Sequence, residues 1–218
     1  MSVGDERATS RWSLRLEVAP WDGAEPRAIR ISSPIRIECR PGRPVAIRGS
    51  NGAGKTVLLE AAVGLRATSQ VTVQWREPPP APPIMAGQHA ELEVFADAVL
   101  EEMTFAARAR GVARVRALED AIKAIRTVGY GNEFLARRVW ELSAGERRLV
   151  QVLAATVAPA GLIALDEPTC GLDAGRRAAL AAWIRHRARE TPLLVASQDP
   201  DWLEWVGAEN VFLDGYLT

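Results

Sequence analysis

The chain has 218 residues, enough for one large domain with a substantial core, and 48% hydrophobic with 25% charged residues is a globular composition. Its 27 basic and 27 acidic residues cancel to a formal net charge of zero, which excludes bulk electrostatic attraction as the means of binding nucleic acid or an anionic membrane surface. No apolar run reaches bilayer length, residues 1–11 lack a signal-type apolar stretch, and Cys39 and Cys170 have no metal-ligand spacing, so the expectation is a cytoplasmic protein with two free thiols. His89 and His186 are the only histidines, and no histidine-based metal site is expected.

From the N-terminus, residues 12–18 alternate apolar and polar side chains as a half-exposed strand does, and residues 29–31 and 35–39 continue that pattern. Arg40-Pro41-Gly42 reads as a turn. Residues 45–48 are a short apolar strand running into a glycine-rich loop, and residues 55–63 form a helix stopped by Gly64. Residues 71–75 are another strand. The five prolines within residues 77–83 make an irregular surface connector. Residues 95–128 have a helical pattern broken at Gly111 and Gly129. A second long helix spans 143–158, with Ser143 as its N-cap and Glu146 at the capping-box position. A strand at 162–165, a helix at 174–190, a strand at 193–196, a short helix at 201–206 and a strand at 211–213 follow. The fold class is therefore α/β, with a parallel-sheet core, an antiparallel β subdomain at the N-terminal side and an inserted helical lobe.

Gly49-Ser50-Asn51-Gly52-Ala53-Gly54-Lys55-Thr56 follows an apolar strand and opens a helix, the context of a phosphate-binding loop (P-loop). Glycines let the backbone curl so that several N–H groups converge on phosphate oxygens, and the helix adds the positive end of its dipole. In such a site Lys55 reaches the β- and γ-phosphates of ATP and Thr56 gives its hydroxyl to Mg²⁺. Residues 162–167, Leu-Ile-Ala-Leu-Asp-Glu, are an apolar strand ending in two carboxylates. A P-loop fold is expected to place it beside the P-loop strand, with Asp166 holding Mg²⁺ and Glu167 orienting or deprotonating the attacking water.

Leu142-Ser143-Ala144-Gly145-Glu146, at the start of a long helix, resembles the LSGGQ signature of ABC ATPases. The family's other elements occur in order. Gln88 stands at the Q-loop position, Gly171-Leu172-Asp173 resembles the D-loop, and Ser197-Gln198-Asp199 stands where the family carries its switch histidine. Trp21 is either an aromatic platform for adenine or a half-buried strand-end residue. The resemblance covers residues 14–217 and implies a single ABC ATPase domain. Residues 11–87 and 159–218 would form the core with its β subdomain, and residues 88–158 the Q-loop and signature lobe.

The resemblance further implies ATP and Mg²⁺, the metal held by Thr56, Gln88 and Asp166. It implies a homodimer or heterodimer around two ATPs, in which Ser143, Ala144, Gly145 and Glu146 act on the partner's nucleotide. A transmembrane subunit would dock by the Q-loop region at the cytoplasmic face of the membrane, with no role for nucleic acid. Residues 88–95 and 99–105 are similar to the corresponding segment of energy-coupling-factor and cobalt/nickel-type importer ATPases, although Ala90 stands where that subfamily usually has proline. Uptake of a vitamin or metal ion is the implied class. An exporter ATPase shares every motif, and a partner subunit with little hydrolysis of its own is a further alternative.

Several positions depart from the family pattern. Gln198 can donate a hydrogen bond but cannot carry the positive charge of a histidine, which predicts slower hydrolysis. Val57 follows Thr56 where a second hydroxyl is usual, so one donor near the α-phosphate is lost. Ala144 adds a methyl group to the signature, and Glu146 brings a negative charge toward the partner's nucleotide. Elsewhere, Trp202 and Trp205 are expected to pack on the sheet. Arg108, Arg110, Arg114 and Arg116 form a solvated basic face or a contact for a membrane partner, and Cys170 is read as a small buried side chain.

Overall fold

The computed structural model describes residues 12–20, 29–88 and 95–213. Trp21 and residues 89–94 lie outside the described residues, so the adenine-platform reading and most of the segment after Gln88 have no structural account.

Three antiparallel strands, β1 (Leu14–Val18), β2 (Ile35–Cys39) and β4 (Val71–Trp75), form a small sheet in the order β2-β1-β4. Leu14, Leu16 and Val18 point inward at a period of two, which is the alternation that marks the segment in the sequence. Residues 29–31 are not a strand. Ile29 and Ile31 are nevertheless buried, and Gln70 bonds both backbone groups of Ile29, its Oε1 accepting from the N–H at 2.9 Å and its Nε2 donating to the carbonyl at 3.0 Å. A buried side-chain amide thus replaces ladder bonds there.

The second sheet is five-stranded and parallel: β5 (Ile84–Ala86), β6 (Ile163–Asp166), β7 (Leu193–Ala196), β3 (Val45–Arg48) and β8 (Glu209–Phe212), in that spatial order. The acidic strand β6 is therefore not beside the P-loop strand β3; β7 lies between them. The two still share a site because α1 (Lys55–Ala62), which leaves the P-loop, packs across β6 and β7. The sequence reading also misses β5, whose three residues are too few to show periodicity after a run of prolines. Arg110 secures that run, donating to the carbonyls of Pro82 at 3.1 Å, Pro83 at 3.0 Å and Pro159.

The lobe consists of α2 (Val99–Ala109), α3 (Arg114–Thr127) and α4 (Ala144–Val157), with 3₁₀ turns at Asn132–Ala136 and Val139–Glu141. Helix α2 begins four residues later than the pattern suggests. Phe95 and Ala96 instead give their N–H groups to the Glu102 carboxylate at 2.9 Å each, which holds them out of the helix. Helices α5 (Ala174–Ala188) and α6 (Pro200–Val206) complete the core side. Trp202 is fully buried there and donates to the Arg177 carbonyl at 3.0 Å, whereas Trp205 is exposed rather than packed on the sheet. Among the described residues, no helix is long and apolar enough to cross a membrane.

The two cysteines differ sharply. Cys39 belongs to the core beneath the antiparallel sheet, where burial first, and Glu38 second, push its pKa up to about 12. Cys170 is exposed, contrary to its reading as a buried side chain. Since the thiolate is the reacting species, the native chain is expected to lose one thiol to a maleimide at pH 7.5 and the second only in denaturant. Mass mapping should place the native adduct on Cys170.

Candidate nucleotide site

Strand β3 delivers the chain into the glycine loop, where Gly52 (φ +84°) and Gly54 (φ +97°) take left-handed backbone that other residues enter at a cost. Helix α1 starts directly after Gly54. It has no side-chain cap and no acidic residue in its first turn. Helices α4, α5 and α6, by contrast, are capped by Ser143, Asp173 and Asp199. The N-terminal dipole of α1 is thus left for an anion. Lys55 is buried and donates to the Gly49 carbonyl at 2.8 Å and the Ser50 carbonyl at 2.9 Å, which holds its ammonium inside the loop.

Thr56 Oγ1 donates to Asp166 Oδ2 at 2.6 Å, so the loop and the end of β6 meet through two hard oxygen donors. With the Gln88 side chain on the same groove wall, the donor set suits a small divalent cation. Glu167 follows in left-handed backbone (φ +48°), unusual for a residue with a long side chain. Its Oε2 accepts from the Gln198 N–H at 3.2 Å, and its Oε1 is buried with no hydrogen-bond partner among the described residues. Gln198 Nε2 donates to Asn51 Oδ1 at 2.6 Å, joining the switch position to the P-loop. Lys55, Thr56, Gln88, Asp166, Glu167 and Gln198 all line one groove of about 1010 Å³. Val57 also lies on it, as the residue that carries no hydroxyl.

Burial raises the pKa of Asp166, opposed by the Thr56 hydrogen bond and the charges of Arg148 and Lys55. Burial likewise raises that of Glu167, opposed mainly by the Gln198 N–H and reinforced by the charge of Asp166, with Lys55 and the Ser197 hydroxyl lowering it. A carboxylate raised toward neutrality is a better proton acceptor from water.

The signature residues Ser143, Ala144, Gly145 and Glu146 do not line this groove. They start α4, where Ser143 Oγ accepts from the Glu146 N–H at 3.2 Å and Glu146 Oε2 accepts from the Ser143 N–H at 2.9 Å. Glu146 Oε1 is bonded by Arg137 at 2.8 Å. Burial alone would raise the Glu146 pKa, but the Ser143 and Arg137 bonds bring it below its ordinary value. Its charge is turned back into its own lobe rather than outward as the sequence suggests. Gly145 abuts Gly171, the first residue of the D-loop motif; a Cβ at 145 would run into the Gly171 carbonyl. Asp173 caps α5 through the Arg176 N–H at 2.8 Å and pairs with the Arg176 guanidinium, bonds that lower its pKa.

Sequence reasoning passes over Arg148. It is 3% exposed, five residues into the signature helix region, and its guanidinium donates to the carbonyls of Gly87, Asp166 and Glu167 (the last at 3.3 Å) and to Gln151. The available signal was a cation on the buried face of α4, beside Leu149 and Val152. Arg116, by contrast, is a surface residue paired with Asp120 at 3.0 Å, as a solvated face requires.

A phosphate cradle at an uncapped helix, a hydroxyl–carboxylate pair and a desolvated glutamate define a P-loop ATPase. The model of the family described as "ABC transporter" matches residues 33–170, more than half of the chain, and the chain belongs to that family. It is an ATP-binding, ATP-hydrolysing ABC domain. It is 28% identical over 199 residues to the energy-coupling factor transporter ATP-binding protein EcfA2 of Streptococcus thermophilus, covering 84% of this chain and 71% of that one. The EcfA2 of Geobacillus kaustophilus is 27% identical over 83% of this chain and 68% of its own length. Among solved structures, the fold is shared with an ABC transporter in an inward-facing conformation (TM-score 0.70, 18% identity, 93% of this chain and 79% of that one). It is also shared with RNase-L Inhibitor (TM-score 0.65, 23% identity), of which this chain spans 33% and which covers 81% of this chain.

Because both acid groups are raised above their ordinary values of 3.8 and 4.5, the native chain keeps their protons to higher pH than the unfolded chain. Their contribution to stability is full below those ordinary values and is lost as pH rises above them and through the raised native values. Replacing Glu167 by neutral glutamine is therefore expected to raise the urea midpoint at pH 7. The gain should shrink as pH falls through the raised native pKa toward 4.5, below which the wild-type group is protonated in both states.

Proposed function

We propose that this chain is the motor subunit of an importer of the energy-coupling-factor class, taking up a vitamin or metal ion, and that it works as a homodimer or heterodimer closed around two ATPs at the cytoplasmic face of the membrane. The observation that carries the reading is the continuity of the groove. It begins at Lys55, Thr56 and Glu167 and runs out to Leu65, Phe95 and Phe105, which are 73%, 75% and 53% exposed. Phe95 and Phe105 stack at 5.9 Å. Exposed aromatics contiguous with a nucleotide cleft suit a partner's apolar segment. Gln88 lines the same groove, and the Q-loop reading gives it communication with the transmembrane subunit.

In this reading the backbone N–H groups of residues 49–56 hold the phosphates of ATP, with Lys55 on the β- and γ-phosphates. Thr56, Gln88 and Asp166 hold Mg²⁺, which when bound neutralises charge on the phosphate oxygens. The oxygen of a water attacks the γ-phosphorus, the bond to the bridging oxygen of ADP breaks, and the water's proton passes to Glu167. Ser143 and Gly145 of one subunit complete the other's site, with Asp173 at the same interface. ATP then joins the dimer and hydrolysis releases it, a difference between states that can drive a membrane partner. The EcfA2 relatives support the import class, and the solved inward-facing ABC transporter supports the fold on which it rests. A partner subunit with little hydrolysis of its own is the second reading, favoured by Gln198.

Two measurements test this. Phe105→Asp is expected to abolish co-purification of the chain with its transmembrane subunit from detergent-solubilised membranes, while undiminished capture would contradict the docking groove. Gln198→His is expected to raise kcat for ATP by about 10-fold or more, since a charged donor at a developing phosphate charge is worth about 10–1,000-fold. Unchanged turnover would remove Gln198 from the account of hydrolysis.

A further inference from the structure

Gln198 is an exposed side chain on a loop, free in principle to sample many rotamers, and ordering such a chain costs conformational entropy. In this fold it is held at both ends. Its backbone N–H bonds Glu167 Oε2 at 3.2 Å, and its side-chain Nε2 bonds Asn51 Oδ1 at 2.6 Å. Asn51 is 147 residues away in sequence, in the P-loop, at a position where phosphate binding asks only for the backbone.

The direction of that second bond matters. A histidine in this place donates. A glutamine carries a donor and an acceptor on one planar amide, and which of them faces the cleft depends on how the amide is turned. Asn51 presents its carbonyl oxygen, so it takes the amino side of Gln198. That bond fixes the plane of the amide and leaves Oε1 and the second N–H for the groove, which Asn51, Glu167 and Gln198 line together. Glu167, whose Oε2 accepts the Gln198 N–H, lines the same groove.

We propose that Asn51 is a positioning residue for hydrolysis: it sets the Gln198 amide so that Gln198 Oε1 and the Glu167 carboxylate, which line the same groove, form a pair of acceptors for one water. A water giving both protons to that pair turns a lone pair of its oxygen outward, the orientation an in-line attack on a γ-phosphoryl group needs, and the remaining Gln198 N–H is left for a phosphate oxygen. The amide of Gln198 thereby does by orientation part of what a histidine does by charge. The proposal rests on the reading of the site given above, with Glu167 as the acceptor of the water's proton.

The test is a double-mutant cycle on the full chain: wild type, Asn51→Ala, Gln198→Ala and the double variant, each assayed for kcat and for KM of ATP, with thermal melting as the folding control. Asn51→Ala is expected to lower kcat about 10-fold with KM within about twofold, because the loss is of water orientation and not of nucleotide binding. In the Gln198→Ala background the same substitution is expected to have no further effect. An undiminished kcat for Asn51→Ala, a loss expressed mainly in KM, or equal losses in both backgrounds would overturn the role of Asn51 while leaving the site's reading intact. Absence of turnover in wild type, or its persistence in Glu167→Gln, would overturn the reading itself and the inference with it.

Discussion

Strand β6 ends at Asp166, and the peptide that follows must hold two carboxylates at a fixed distance from the P-loop. A buried guanidinium makes that possible. Arg148 reaches from the signature helix to the carbonyls of Asp166 and Glu167 and to Gly87, just before Gln88. Removing a cation from water costs several kcal/mol unless its donors are all used, and these bonds are how the cost is met. The same contact stabilises Glu167 in a left-handed conformation that is worth of order 1–3 kcal/mol of strain. Asp166 and Glu167 both take their place from that arrangement.

Its consequence is mechanical. The residue that holds the Glu167 backbone lies five positions after Ser143, on the helix whose N-terminus is read as facing the partner's nucleotide. Gly145 touches Gly171, so the signature also lies directly on the D-loop. Those close approaches leave little room for the signature to move without the end of β6 and the D-loop moving too, since packed interiors transmit displacement. The helix caps follow the same division. Ser143, Asp173 and Asp199 cap α4, α5 and α6, whereas α1 meets the groove with neither a side-chain cap nor an acidic residue in its first turn.

Much of this was legible in the residues. The P-loop, the acidic strand end and the capping box at Ser143 each carry local chemistry at fixed spacing, and the structure brings Thr56 and Asp166 to 2.6 Å. Sheet order was not legible, because β7 lies between β3 and β6 through connections that leave no trace in local periodicity. Strand β5 was too short to read. Arg148 was missed because a charged residue on a helix is ordinarily taken for surface, whereas α4 is buried without a break from Arg148 to Val157. The outward charge expected of Glu146 failed for a related reason: Arg137 reaches it from a 3₁₀-rich segment whose path the sequence does not show. The bond between Asn51 and Gln198 spans 147 residues and belongs to tertiary structure alone.

The central claim is that one chain supplies the cradle and a second completes the site through its signature. Steady-state ATP hydrolysis per chain, measured over a wide range of protein concentration, tests it most directly. The account predicts a specific rate that rises with concentration and levels off as chains pair. A specific rate that is constant down to the most dilute protein would contradict it, because a site complete within one chain has no use for a partner.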